Sequence, residues 1–140
     1  MLKRIATVSI VLTFVAAGAA FAATRTTGSK VTLHSTSHGL VLANSAGLTL
    51  YLYTSDTKNH SNCTGSCVSA WPPFMTVGTP VAGTGVKQAL LATTKRPNGK
   101  FQVTYNGHPL YRYIGDSKAG QSAGEGLGGF FVVTAAGVKK

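Results

Sequence analysis

The sequence predicts an all-β protein made of two tandem repeats of about 60 residues, with about four strands in each. The two copies are expected to fold together as a pseudo-twofold sandwich or a small barrel. Three observations predict this class. The chain can be laid over itself at a shift of sixty positions without a gap. Short apolar runs alternate with turn signals built on glycine, proline and asparagine. Beyond residue 22, no segment carries the 3.6-residue periodicity of an amphipathic helix.

The first 22 residues stand apart. MLKR supplies positive charge, IATVSIVLTFVAAGAA is apolar, and Ala20–Ala22 reads AFA, a small-x-small cleavage site. This is the pattern of a secretory signal peptide cut after Ala22. It leaves one domain over residues 23–140, with repeats at about 31–77 and 91–134. Ile5 to Ala23 is just long enough to span a bilayer. However, its small residues gather at the end and no basic stop follows at once, so no transmembrane anchor is expected after cleavage. The expected address is periplasmic or extracellular.

The chain carries a formal charge of +10, or +8 once Lys3 and Arg4 leave with the leader. Such a surface favours anionic partners. The basic residues are scattered, and Lys95-Arg96 and Lys139-Lys140 are the doublets of the mature chain. No basic helix or nucleic-acid motif is present, so a nucleic-acid partner is not expected.

The elements follow in order. In the first copy, Val31 to Lys58 (VTLHSTSHGLVLANSAGLTLYLYTSDTK) has turn signals at Ser37-His38-Gly39 and Asn44 to Gly47. In the second, Leu91 to Lys118 (LATTKRPNGKFQVTYNGHPLYRYIGDSK) turns at Pro97 to Gly99. It then alternates Phe101, Val103 and Tyr105 against polar neighbours, as a strand does. Asn106-Gly107 is a hairpin signal, because a type I′ turn needs positive φ at both central residues. PLYRY completes a three-strand meander. Each copy then enters a loop and ends in an apolar run, Phe74–Val77 or Phe130–Thr134. Gly78 to Val86 reads as the connector. In the shifted register Gly39 meets Gly99, Gly47 meets Gly107, Leu50 meets Leu110, and Trp71 meets Phe131.

The same register superimposes Tyr51, Tyr53 and Asp56 on Tyr111, Tyr113 and Asp116, a Tyr-x-Tyr-x-x-Asp motif written twice. Residues two apart on a strand share a face, so the tyrosines point together. With Leu110 and Arg112 on the opposite face, the tyrosine face of copy two is expected inward; in copy one Leu52 replaces Arg112 and the faces are less distinct. Each aspartate stands where its strand should end. One reading has it opening the loop, accepting backbone N–H groups or a tyrosine hydroxyl. A second is a Tyr/Asp site, presented twice, for a sugar, cation or partner. A third is a duplicated catalytic carboxylate.

These paired motifs, the sixty-residue duplication and the segment SNCTGSCVSAWPPF (Ser61 to Phe74) resemble the bacterial secreted-repeat family. Its members are described as predicted lipoproteins with a Yx(FWY)xxD motif. The resemblance runs over roughly Leu40 to Thr134. It implies an exported envelope protein and no established activity. The chain departs from the lipoprotein pattern in having no cysteine at the cleavage site to accept a lipid.

Cys63 and Cys67 are the two cysteines of the chain. In an exported protein, oxidation is the default. Residues four apart in a turn or helix stand about 6 Å apart, within disulfide reach. A bridge here would shape the loop that delivers Trp71, Pro72 and Pro73. Two alternatives stay open: a redox-active pair, or a copper or zinc site built from His60, Cys63 and Cys67. His34, His38 and His108 have no spacing that converges on these. The glycine-rich stretch Gly120–Gly129 replaces the cysteine loop in the second copy and lacks the features of a phosphate-binding loop.

The chain has three carboxylates, Asp56, Asp116 and Glu125. No nucleophile motif is visible. The expectation is a non-catalytic exported module of unknown ligand, binding or structural in role and without cofactor or metal, with an anionic envelope polymer or another envelope protein as the candidate partners. A periplasmic redox or metal-handling protein is the alternative.

Overall fold

The structure, a computed structural model, describes residue 13, residues 15–20 and residues 27–140. The charged start of the expected leader and its expected cleavage site after Ala22 lie outside the described residues. Copy one supplies β1 (Lys30–Thr36), β2 (Gly39–Asn44), β3 (Tyr51–Tyr53) and β4 (Met75–Thr76). The connector holds a short strand of its own, β5 (Val81–Ala82), which pairs in parallel with β1. Copy two supplies β6 (Leu91–Lys95), β7 (Phe101–Tyr105), β8 (His108–Pro109) and β9 (Phe130–Val132). Four strands per copy therefore form, as expected, with a single helical turn, α1 (Cys67–Ala70), in the cysteine loop.

The strands make three small sheets, β2-β1-β5, β3-β9 and β4-β7-β6, with β8 on β7. They do not close into a barrel. The predicted turns are present. Asn106 and Gly107 lie at φ 50° and 79°, the pair of positive values a type I′ turn demands.

The gap-free register hides two differences that cancel. Leu33 faces Leu42 in the first hairpin, whereas Thr93 faces Val103 in the second, so β7 is displaced by one residue. The next turn restores the shift of sixty. It spans three residues between Asn44 and Leu48 but two between Tyr105 and His108. A third difference remains uncorrected. Thr54 N–H donates to Gly129 O and Ile114 N–H to Ala70 O, at 2.9 and 3.0 Å. Ala70 thus matches Gly129, and Trp71 matches Phe130 rather than Phe131.

The fourth strands change partners. β4 of copy one lies along β7 of copy two, with Met75 opposite Gln102. β9 of copy two lies along β3 of copy one, with Tyr51 opposite Val132. Backbone bonds extend both exchanges, from Phe74 N–H to Leu110 O at 2.9 Å and from Leu42 N–H to Val133 O at 2.8 Å. Neither copy holds its own last strand, so each completes the other's apolar layer.

The exchange encloses both faces of the motif strands. Leu50, Leu52 and Leu110 pack with Val31, Leu42, Val103, Tyr105 and Val133. Tyr51 and Tyr111 pack on the other side with Val41, Cys63, Trp71, Phe130 and Val132. In copy two Tyr111 is buried, as expected, but the opposite face is not an outer one: Leu110 is equally buried and Arg112 is half-buried. The alternation read in β7 is corrected too. Gln102 to Tyr105 are all buried and Phe101 is exposed, because β7 is flanked by β4 and β6 and covered on both faces. In copy two the third strand of the meander shrinks to β8, and Tyr111 joins through isolated bridges to Tyr51 and Pro73.

Candidate functional site

Tyr51 and Tyr111 face each other across the boundary between the copies. Each donates its backbone N–H to the other's carbonyl, at 2.8 and 2.9 Å. These reciprocal bonds are those of a local twofold relation. A side-chain exchange surrounds them. The Tyr51 hydroxyl donates to Asp116 Oδ2 at 2.5 Å, and the Tyr111 hydroxyl donates to Asp56 Oδ2 at 2.7 Å. Each motif tyrosine is thus satisfied by the aspartate of the other copy.

Each aspartate also holds the loop that follows it. Its own N–H donates to the carbonyl of the motif's second tyrosine, Tyr53 or Tyr113, at 3.1 Å in both copies. Asp56 Oδ1 accepts the Asn62 N–H at 2.7 Å, and Asp116 Oδ1 accepts the Ala123 N–H at 2.9 Å. The aspartates therefore combine the two partners that sequence reasoning offered, backbone N–H and tyrosine hydroxyl.

The electrostatics follow from burial. Burial, reinforced by the bond to Asp116, pushes the Tyr51 hydroxyl well above the ordinary tyrosine range. Burial does the same to Tyr111, with the bond to Asp56 adding to it and Ser61 opposing it. Burial also raises the Asp56 carboxyl, against the pull of Asn62, Tyr111 and Arg96. His108 is held below its usual value by burial, opposed by Asp56.

Tyr53 and Tyr113 end a row of four rings. Tyr53 stacks on Phe130 at 4.3 Å, Phe130 on Trp71 at 3.8 Å, and Trp71 on Tyr113 at 4.5 Å between centroids. Trp71 and Phe130 are the matched residues of the two loops, so this row repeats the twofold relation. Pro72 and Pro73 set the path into it. Pro72 O accepts the Arg112 N–H at 2.9 Å, and Pro73 bridges to Tyr111.

Cys63 and Cys67 form a disulfide with Cα atoms 5.3 Å apart. Cys63 is buried in the tyrosine cluster, so the bridge ties the loop bearing Trp71 to the core. With both sulfurs bonded to each other, His60, Cys63 and Cys67 do not form a ligand set; His60 is exposed. Among the described residues, no three His, Cys, Asp or Glu side chains stand together as a metal cluster.

Sequence reasoning missed four residues of this network. Arg96, read as half of a surface doublet, donates from Nη1 to Ser61 Oγ (2.9 Å) and Gln102 Oε1 (2.7 Å), and from Nη2 to Cys63 O (2.8 Å). Ser61 Oγ in turn lies 2.6 Å from the Tyr111 hydroxyl, and buried Gln102 donates to Leu110 O at 2.8 Å. At the shift of sixty Arg96 replaces Thr36 just before a glycine turn, which marks the position as different between the copies but does not name its partners. The fourth is Gly124. It donates its N–H to the Tyr51 hydroxyl at 3.2 Å, and a Cβ there would stand 2.7 Å from the Trp71 ring. The glycine-rich stretch therefore has a buried contact that leaves no room for a side chain.

A family model described as a secreted repeat of unknown function matches residues 32–75 and again 92–133. The chain belongs to this family. The two matched segments begin sixty residues apart and end fifty-eight apart, in keeping with a second copy that is shorter in its loop. Tyr51, Asp56, Tyr111 and Asp116 lie inside these secreted repeats, as do the disulfide and Trp71. No curated protein and no solved structure gives a significant match to the chain. Among the described residues, no helix is long and apolar enough to cross a membrane.

Proposed function

We propose that this secreted-repeat protein is a rigid, non-catalytic binding module of the periplasm or cell surface, and that its partner is an anionic polymer of the envelope. The observation that carries this reading is how its charges are divided. Asp56 and Asp116 accept two internal hydrogen bonds each, and Glu125 Oε2 accepts the Val132 N–H at 2.6 Å. All eight lysines after the leader are exposed. Acidic groups are thus engaged inside the fold while the lysines face outward, and the field around the module is positive.

The non-catalytic part of the reading rests on the same division. The three carboxylates and the two cysteines, which acid–base or thiol chemistry would need, are engaged in holding the fold and the cysteine loop together.

Retention of the exported protein on an immobilised poly(glycerol phosphate), measured against salt, tests the proposal. Binding at low salt that fades as the Debye length shrinks toward about 3 Å at 1 M is the expected result. Absence of retention at low salt would overturn it.

A further inference from the structure

We infer that the notch between the disulfide loop and the β6–β7 turn is an anion subsite for a phosphate group. This inference rests on the polyanion reading above and gives that reading a location. His60, Ser61, Asn62, Thr94, Lys95 and Arg96 border a cleft of about 220 Å³. No carboxylate lines it. A water molecule occupies about 30 Å³ in the liquid, so the space admits one tetrahedral oxyanion with its ester arms and a few waters. The Asn62 N–H and the Ser61 and Thr94 hydroxyls are already bonded within the fold, so the groups left to meet an anion are His60 on the loop side and Lys95 and Arg96 on the strand side.

Arg96 is held in place for this role. Its three hydrogen bonds to Ser61, Gln102 and Cys63 fix the guanidinium plane. A guanidinium has five N–H donors. Among the described residues, Nε and one Nη2 proton take no partner, so a fixed cation remains with donor capacity, and little ordering is needed on binding. The opposing charge is Asp56, whose oxygens are engaged by Asn62 and Tyr111.

The other half of the molecule is built differently at this place. At the corresponding β1–β2 turn, Thr36 stands in place of Arg96. His38 Nδ1 and Ser122 Oγ lie 2.8 Å apart and join the turn directly to the loop of copy two. The Tyr–Asp bonds are made on both sides. One side is closed by a direct side-chain bond between turn and loop, and the other is an open cleft bordered by Lys95 and Arg96. The copies diverge where a ligand could be held, and agree where the fold is locked.

The test compares the full exported chain with a His60→Gln/Lys95→Ala double variant. Both positions are exposed, so the variant should melt as the parent does. Inorganic phosphate is titrated against the backbone amide NMR spectrum at fixed ionic strength. Saturable shifts confined to residues around His60, Asn62 and Arg96, weakened about tenfold in the variant, would support the subsite. Shifts that are absent, that do not saturate, or that persist unchanged in the variant would overturn it. The poly(glycerol phosphate) retention assay is run on both proteins. Equal retention with no phosphate site would discard the notch and leave the polyanion reading standing. A phosphate site without polymer retention would keep the notch and discard the polymer.

Discussion

Tyr51 donates a hydroxyl hydrogen bond to Asp116, sixty-five positions away, while Tyr111 donates its own to Asp56, and the two tyrosines share a pair of backbone hydrogen bonds. A motif repeated within one chain here satisfies itself across the repeat. The duplication is thereby explained in physical terms: a single copy would bury a tyrosine hydroxyl without its acceptor and would lack its fourth strand.

Asp116→Ala should destabilise the fold by about 1–3 kcal/mol, the range for leaving a buried donor unsatisfied. Asp56→Ala should have a smaller effect, because Asp56 is less buried and Ser61 remains beside the Tyr111 hydroxyl. Urea unfolding of the two variants checks the order as well as the size.

Alkaline pH should unfold the protein through these tyrosines. The folded-state pKa values of Tyr51 and Tyr111 are raised above the ordinary value of 10.0. Their stabilising effect is complete below about pH 10, where an unfolded tyrosine also keeps its proton. Above that, the unfolded chain releases protons that the folded chain retains, so stability falls as pH rises. Tyrosinate absorbance and near-UV circular dichroism, followed together from pH 9 upward, should show these two residues ionising with unfolding. Asp56 is also raised. Its ionisation therefore opposes folding slightly, and acidification through its range should not be destabilising on its account.

Reducing the Cys63–Cys67 bridge should remove about 2 kcal/mol, the chain-entropy value for so short a loop. Cys63 and Trp71 share a cluster, so the tryptophan emission should report the loosening. Unfolding curves with and without reductant measure both effects.

Arg96→Lys should be nearly as damaging as Arg96→Ala, at about 1.5–3 kcal/mol. A single ammonium cannot reproduce donors aimed at Ser61, Gln102 and Cys63 from a planar fork. Thermal melts of the two variants decide whether the geometry or the charge of Arg96 matters.

Much of this was legible in the residues, in unequal parts. The repeat, the strand number, the turns at Gly39, Gly99 and Asn106-Gly107, and the disulfide follow from local patterns, which report local conformation. The exchange of β4 and β9 does not, because an apolar run such as Phe130–Val132 shows that a strand is buried and not which neighbour buries it. The cross-pairing of Tyr51 with Asp116 depends on that exchange and was hidden with it. Trp71 was matched to Phe131 because alignment without gaps cannot show a loop shortened by one residue. Arg96 was read as surface because a basic doublet before a turn carries no sign of the carbonyl and hydroxyl waiting in another loop.

A double-mutant cycle is the most direct test of the reciprocal lock. Tyr51→Phe, Asp116→Ala and the pair together are compared by equilibrium unfolding with Tyr51→Phe, Asp56→Ala and their pair. Coupling of about 0.5–3 kcal/mol for Tyr51 with Asp116, and near zero for Tyr51 with Asp56, is the predicted result. Coupling confined to Tyr51 and Asp56, within one copy, would contradict it.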